Sequence, residues 1–517
     1  MTLCEFWSTC SALLPELILG GAICVLILAD MFTPLNKSRE VCGVLALLGL
    51  GAAFGVTVQR MMGGVAVGSV FGDSAAVENF TLLFRLMFFA STAGVVFFSM
   101  RTRELAGYRH GEYYSLLLGA VLSASLLIAS RNLILFVVAL ETLSMCSYVL
   151  AGFIKHERIS TESGLKYLLY GAVASGVMLF GISYLYGMTG TVQIPEVTNV
   201  LIRLSESGAL NRETVLLAFV LLLTGLGFKM TVVPFQFWAP DVYQGAPTPV
   251  TAFLAVVSKI AGFGGLMVIL SPLYVAGNTA AVVSVHARAM HLPLLLGFIA
   301  VLTMTYGNLV ALRQTDIKRL FAYSSIAHAG YLLMGLAVFN VDSLRAVLVY
   351  FIIYLVMNLG AFWLIVVLVD RLGGSDLARF RGARFKSPFL FWTLFIFLVS
   401  LTGLPPTSGF AAKLLVFGVV VKAGLGAMGT GGASGSLGAL TPEAWAWFAL
   451  VVVAVLNSAI SLVYYMKIAR VMAFEEPTDE KPIAMDWLDR TVTVAFATAT
   501  LVLLYFAPVL ALVDRAL

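Results

Sequence analysis

The sequence predicts an all-α polytopic membrane protein of about fourteen transmembrane helices, with an inverted five-helix repeat and two broken helices. Three observations carry that expectation. Of 517 residues, 60% are hydrophobic and 11% charged, with a mean hydropathy of +0.97, far outside the range of soluble domains. Apolar windows of membrane-spanning length recur from one end of the chain to the other. Two of those windows are interrupted, and they stand five windows apart.

Taken in order, the windows are 13–31, 41–59, 80–99, 113–129, 132–153, 164–187, 213–233, 248–271, 291–312, 317–338, 344–369, 387–423, 444–473 and 491–513. The first contains Pro15 and Glu16 and has no basic segment before it, so it reads as a retained helix rather than a cleavable signal. The seventh runs into Lys229-Met230-Thr231-Val232-Val233-Pro234 and is followed by a half-buried segment from Phe235 to Tyr243. The twelfth is too long for one straight span. Its interior carries Leu404-Pro405-Pro406-Thr407-Ser408-Gly409, which removes backbone donors and ends helical geometry. A lysine follows each of Thr224-Gly225-Leu226 and Thr402-Gly403-Leu404, as an inverted repeat would produce. The chain is accordingly divided into an N-terminal three-helix segment (1–112), a first repeat of helices four to eight (113–271), a second repeat of helices nine to thirteen (272–473), and a C-terminal loop and last helix (474–517). The Gly- and Ser-rich run 424–438 reads as a flexible outer loop and 475–489 as a solvated inner one.

Charge supports the window count. Of 32 basic residues, 20 fall in or beside the connections after odd-numbered windows and six in those after even-numbered ones. Basic loops stay on the cytoplasmic side, which places both termini outside. The net charge of +5 is then a matter of topology, and nucleic-acid binding is not supported. Cys4, Cys10, Cys24, Cys42 and Cys146 are scattered without a C-x-x-C pair, which argues against a zinc or iron-sulfur site and against a disulfide framework.

The remaining basic residues are Arg85, Lys229, Lys259, Lys413, Lys422 and Arg515. A charge at the bilayer centre costs at least ~2.5 kcal/mol, so an intramembrane lysine marks an ion path by default. Lys229, Lys259 and Lys413 meet that description, and Glu141, about nine residues into the fifth window, supplies an acid at similar depth. Glu141 and Lys229 could pair; separating them would leave a desolvated lysine that releases its proton. Lys259, with Ser258 beside it, could accept that proton; His328, after Tyr323, Ser324 and Ser325, suits a relay; Lys413, past the proline break, would be the last buried site. Duller readings stand beside these. Arg85 and Lys422 could snorkel to headgroups, His328 could be a core histidine on a carbonyl, and Glu141 could belong to a structural ion pair. Glu16 and Asp30 read as interfacial, and Gly171, Ser175 and Gly176 as close helix packing.

The stretch Gly227-Phe228-Lys229-Met230 with Pro234-Phe235-Gln236-Phe237-Trp238-Ala239-Pro240-Asp241-Val242-Tyr243-Gln244-Gly245-Ala246-Pro247-Thr248-Pro249-Val250 closely resembles the subunit N family of bacterial NADH:quinone oxidoreductase, respiratory complex I. The likeness continues through Ser258-Lys259-Ile260, through Lys318-Arg319-Leu320-Phe321-Ala322-Tyr323-Ser324-Ser325-Ile326-Ala327-His328, and through Leu404-Pro405-Pro406-Thr407-Ser408-Gly409-Phe410 with Lys413, and spans nearly the whole chain. That family is similar to cation/proton antiporters. The resemblance implies that Glu141 and Lys229 are its charge pair, Lys259 its central lysine and Lys413 its exit lysine. Subunit M would carry a glutamate at the place of Lys413 and subunit L a lateral helix; neither feature is present.

It also implies a proton-translocating subunit of a translocase, driven by quinone reduction elsewhere, in the bacterial inner membrane. Flavin and iron-sulfur clusters are expected in partner subunits and no cofactor in this chain; the expected neighbours are an M-like subunit and small J-, K- and A-like subunits. The alternatives are a subunit of a Na+/H+ antiporter, which would need hard oxygen ligands that the spans lack beyond Glu141, an N-type subunit of a ferredoxin- or F420-linked relative, and a scaffold with inert lysines.

Overall fold

A computed structural model describes residues 9–63, 67–275, 292–428, 441–477, 482–503 and 507–517. The N-terminal part comprises α1 (Leu14–Phe32), α2 (Leu35–Gly63), an antiparallel hairpin of β1 (Val67–Val70) and β2 (Ala75–Val77), and α3 (Asn79–Arg101). Then follow α4 (His110–Ala129), α5 (Leu133–Ala151), α6 (Arg158–Thr189), α7 (Ile194–Glu206), α8 (Arg212–Met230), α9 (Ala239–Gly245), α10 (Thr248–Phe253), a π turn (Leu254–Ser258) and α11 (Lys259–Val275). The second half holds α12 (Leu292–Ala311), α13 (Ile317–Leu336), α14 (Val341–Leu372), α15 (Ala383–Lys386), α16 (Pro388–Thr402), α17 (Ser408–Gly426), α18 (Pro442–Phe474), α19 (Trp487–Val502) and α20 (Ala507–Ala516).

The chain is thus a nearly all-helical, multi-pass membrane protein. Among the described residues, 12 helical stretches are long and apolar enough to cross a membrane, and Pro388–Thr402 is a shorter apolar helix. Both interruptions fall where proline removes backbone donors: α8 stops at Met230 ahead of Pro234, and α16 stops at Thr402 ahead of Pro405 and Pro406. Helix starts are fixed by side-chain caps, Asn132 to Ile134 N (2.8 Å), Asp316 to Arg319 N (2.9 Å) and a capping box between Asn340 and Ser343. The hairpin and the amphipathic α7, which buries Ile194, Val197, Thr198 and Leu201, lie in stretches too short or too polar to read as spans. Most of the glycine-rich run and of the loop 273–291, with Arg288 and Lys481, lies outside the described residues.

Burial separates an inside from an outside. The most apolar 18-residue window of Thr248–Pro272 is 100% buried and that of Val341–Leu372 89%, whereas those of Leu14–Phe32, Arg158–Thr189 and Pro442–Phe474 are 28% buried. The central rods therefore present side chains wholly or almost wholly to protein, and the outer helices present apolar faces outward, as lipid or partner helices require.

Candidate functional site

Lys229 occupies the last turn of α8. Thr231 takes a left-handed conformation (φ 61°), and two carbonyls of the last turn are occupied: Val232 N donates to Gly227 O (3.0 Å) and Trp238 Nε1 to Phe228 O (3.0 Å). The ammonium is held by side-chain hydroxyls and not by these carbonyls. It is buried and donates to Ser144 Oγ on α5 (3.2 Å) and, more weakly, to Tyr167 OH on α6 (3.5 Å), whose ring centre lies 5.7 Å away. Tyr167 in turn stacks on Trp238, with centroids 4.2 Å apart.

Glu141 lies one turn before Ser144 on α5. The direct ion pair with Lys229 that the sequence suggests is not made: among the described residues no cation stands within salt-bridge distance of Glu141, and its buried Oε1 has no hydrogen-bond partner. The helix period explains this. Val138, Thr142, Met145 and Val149 are exposed, so Glu141 sits at the edge of the outer stripe while Ser144 and Ser147 turn inward.

Lys259 begins α11 directly after the π turn and is fully buried. Its ammonium donates to Ser325 O (2.6 Å) and Ser325 Oγ on α13. Ser325 Oγ also meets Tyr354 OH (3.0 Å), which donates to Ala255 O of the π turn (3.2 Å). A π turn widens the helix and leaves carbonyls for side chains, and here a tyrosine takes one. Gly262, one turn beyond Lys259, lets α11 press onto α8: a Cβ there would lie 3.2 Å from both Cβ and the carbonyl carbon of Lys229. Ser258 Oγ, Tyr243 OH and Tyr148 OH are buried in the same region without partners, which is the setting that internal water occupies.

From Lys259 the polar layer continues along α13. His328 Nδ1 meets Tyr350 OH (2.7 Å), its Nε2 meets Tyr465 OH (3.5 Å), and Tyr465 OH also bonds Ser324. A carbonyl-bonded core histidine is thus not what is found; both ring nitrogens face phenols. Lys413 on α17 donates to Thr402 O (2.6 Å), a carbonyl released at the end of α16, and to Ser458 Oγ on α18 (2.8 Å), with the Tyr331 ring centre at 4.8 Å. Here the broken helix does hold an ammonium. Tyr331 OH accepts from Asn308, which also bonds Asn457 and Tyr464.

The structure thus places Lys259, His328 and Lys413 along one hydroxyl-lined layer around α13, with Lys229 packed against α11 beside it and Glu141 at its outer edge. Sequence reasoning did not find Ser144, Tyr167, Tyr350, Tyr354, Asn308, Ser458 or Tyr465, and named Ser325 beside His328 but not as the partner of Lys259, because hydroxyls and amides in apolar helices carry no charge signal. Two expectations are corrected. Arg85 does not snorkel: it is fully buried and pairs with Glu16 (2.7 Å), and both bond Ser125. Glu16 and Asp30 are buried rather than exposed at an interface, Asp30 accepting from Ser38 Oγ (2.6 Å). Lys422 is exposed, 3.9 Å from Asp342.

A polytopic helical bundle of this kind is consistent with an antiporter-like membrane fold. The chain belongs to the NADH:quinone oxidoreductase/Mrp antiporter transmembrane family, whose model matches residues 130–437. It is 37% identical to NADH-quinone oxidoreductase subunit N 2 of Sorangium cellulosum over 97% of this chain and 96% of that protein. With subunit N of a Geobacillus species it shares 38% identity over 90% of each. Among solved structures it is similar to a chain of respiratory complex I from Thermus thermophilus with bound aureothin (30% identity, TM-score 0.74, 96% of this chain and 98% of that one). The Mrp complex of a Dietzia species shares the fold (20% identity, TM-score 0.79, 100% and 97%).

Proposed function

We propose that this chain, as an N-type membrane subunit of NADH:quinone oxidoreductase, moves protons laterally through Lys229, Lys259, His328 and Lys413, with Glu141 setting the charge state at the entrance. The observation that carries this reading is the layer itself: three buried ammonium groups and an imidazole, each held by hydroxyls or backbone oxygens. Hydroxyls can accept and pass protons and backbone carbonyls accept hydrogen bonds, and neither adds a fixed counter-charge, so each lysine can be neutral or charged as its neighbours change. A permanently paired lysine would be locked. Glu141 lies at the exposed edge of α5, where a neighbouring subunit's charge could draw it away from or toward Lys229.

Protons enter on the cytoplasmic side at Lys229, pass Lys259 and His328, and leave past Lys413. Redox groups belong to partner subunits. M-like and small J-, K- and A-like subunits are its neighbours, the membrane is the bacterial inner membrane, and both termini face outward. The two halves 113–271 and 272–473 act as inverted repeats, each supplying one broken helix.

Copurification tests this against a Na+/H+ antiporter. The chain is expected to bring with it a coloured complex containing flavin and clusters, whose NADH oxidation acidifies the interior of proteoliposomes in sodium-free buffer. A colourless complex that exchanges sodium for protons would overturn it.

A further inference from the structure

We infer that Asp241 is a positioning residue: it clasps the short helix α9 between α6 and α13 and thereby holds Tyr167 against the Lys229 ammonium. The inference rests on the assignment of Lys229 to proton transfer.

Four contacts make the clasp. Asp241 Oδ2 accepts from Lys166 Nζ on α6 (2.8 Å), and Oδ1 from Arg319 Nη1 on α13 (2.6 Å). The same arginine nitrogen reaches Gln244 Oε1 (3.1 Å), and Ser163 Oγ donates to Asp241 O (3.1 Å). Beside them, buried Lys318 donates to Ala246 O at the far end of α9 (2.7 Å). A seven-residue helix is too short to hold its place by its own hydrogen bonds. Its seat therefore depends on cations supplied by helices 75 and 78 residues away in sequence. One cation comes from each half of the chain.

The clasp has a rigid path to the lysine. Lys166 and Tyr167 are consecutive on α6, so the residue that grips Asp241 adjoins the residue whose hydroxyl faces Lys229. From the other side, Trp238 heads α9, stacks on Tyr167 at 4.2 Å and bonds Phe228 O on the last turn of α8. Displacing α9 would thus move the Trp238 ring and with it the Tyr167 hydroxyl and the Lys229 turn. Interiors packed at this density switch between discrete arrangements rather than deform smoothly. Lys166 pairs at the same time with Glu162 (2.8 Å), one turn away on its own helix, so opening the clasp on the α6 side would leave the lysine's charge with a partner.

The test is the assembled complex in proteoliposomes, with NADH-driven proton uptake, quinone KM and the amount of assembled subunit measured for Asp241→Asn, Asp241→Glu, Trp238→Phe and Lys229→Met. Asp241→Asn is expected to lower coupled turnover about fivefold, with quinone KM unchanged. Asp241→Glu should restore most of that loss, and Trp238→Phe, which keeps a ring but loses the indole donor, should show a loss of its own. If Asp241→Asn does not assemble, Lys166→Gln and Arg319→Gln, which each remove one grip, are measured instead and the same slowing is expected of both. Wild-type turnover in Asp241→Asn, or in both grip variants, overturns the inference, as does a loss that Asp241→Glu fails to relieve. Lys229→Met separates the two levels: normal pumping there removes the underlying assignment, whereas a dead Lys229→Met beside a normal Asp241→Asn removes only the clasp.

Discussion

Lys413 is seated by Gly403. That glycine has φ of +85°, and a Cβ on it would lie 2.7 Å from Lys413 Cδ. Gly403→Ala is therefore expected to cost roughly 1–2 kcal/mol of stability and to displace the ammonium from Thr402 O, lowering turnover at equal assembly. Unchanged melting and turnover would show that Lys413 needs no such seat. At Asp241, burial pushes the carboxyl up, but hydrogen bonds from Lys166 and Arg319 outweigh it and hold the group below its ordinary value. A depressed folded pKa contributes stability that is present above about 3.9 and lost as pH falls through the folded value. The difference in melting temperature between wild type and Asp241→Asn should thus be flat between about pH 5 and pH 8; a step within that window would contradict the two-cation clasp. The lysines were legible in the sequence because a charge in an apolar window is too costly to be incidental. Their partners were not, since Tyr354 and Ser458 look like ordinary helix packing, and Ser325 like a neighbour of His328, until three dimensions bring them to an amine.

The proline-marked breaks could be read from the chain, but the π turn could not. Leu254–Ser258 contains neither proline nor glycine, and nothing in LAVVS departs from a helical pattern. Its consequence is local: the extra residue in the turn shapes the surroundings in which Lys259 meets Ser325. Deleting Val257 should convert the turn to regular helix with the heading of Lys259 nearly unchanged, and should close the Ala255 carbonyl that Tyr354 uses, slowing proton uptake while the complex still assembles; normal pumping would show that the π turn does not set the lysine's surroundings. The N-terminal helices hold a second element the sequence concealed, the buried Arg85–Glu16 pair between α1 and α3. Helix ends near the start of a window invite an interfacial reading, and only packing against Ser125 on α4 reveals the burial. Glu16→Gln should destabilise these helices by about 3–5 kcal/mol by stranding the guanidinium. The double replacement Glu16→Gln with Arg85→Met should cost less than the single one, measured by thermal dissociation of the solubilised complex; an additive loss would contradict a charge-stranding cause.

At the scale of the molecule, the polar layer runs through the centre and the apolar faces lie outside. The central rods are wholly or nearly wholly buried, and the most peripheral helices bury little more than a quarter of their apolar windows. Hydropathy made the spans readable in order, and alternation of basic loops suggested their directions, because both follow from the cost of moving charge through hydrocarbon. Which helices would be central was not readable, since a rod buried in protein and a rod facing lipid are both apolar all round. Conduction through that centre needs the ammonium groups to gain and lose protons in turn. NADH-driven proton uptake by proteoliposomes carrying the assembled complex with Lys229→Met and Lys259→Met together measures this need. Coupled proton uptake through this subunit should be lost with both amines gone; undiminished proton yield per electron at wild-type turnover would contradict the layer's role.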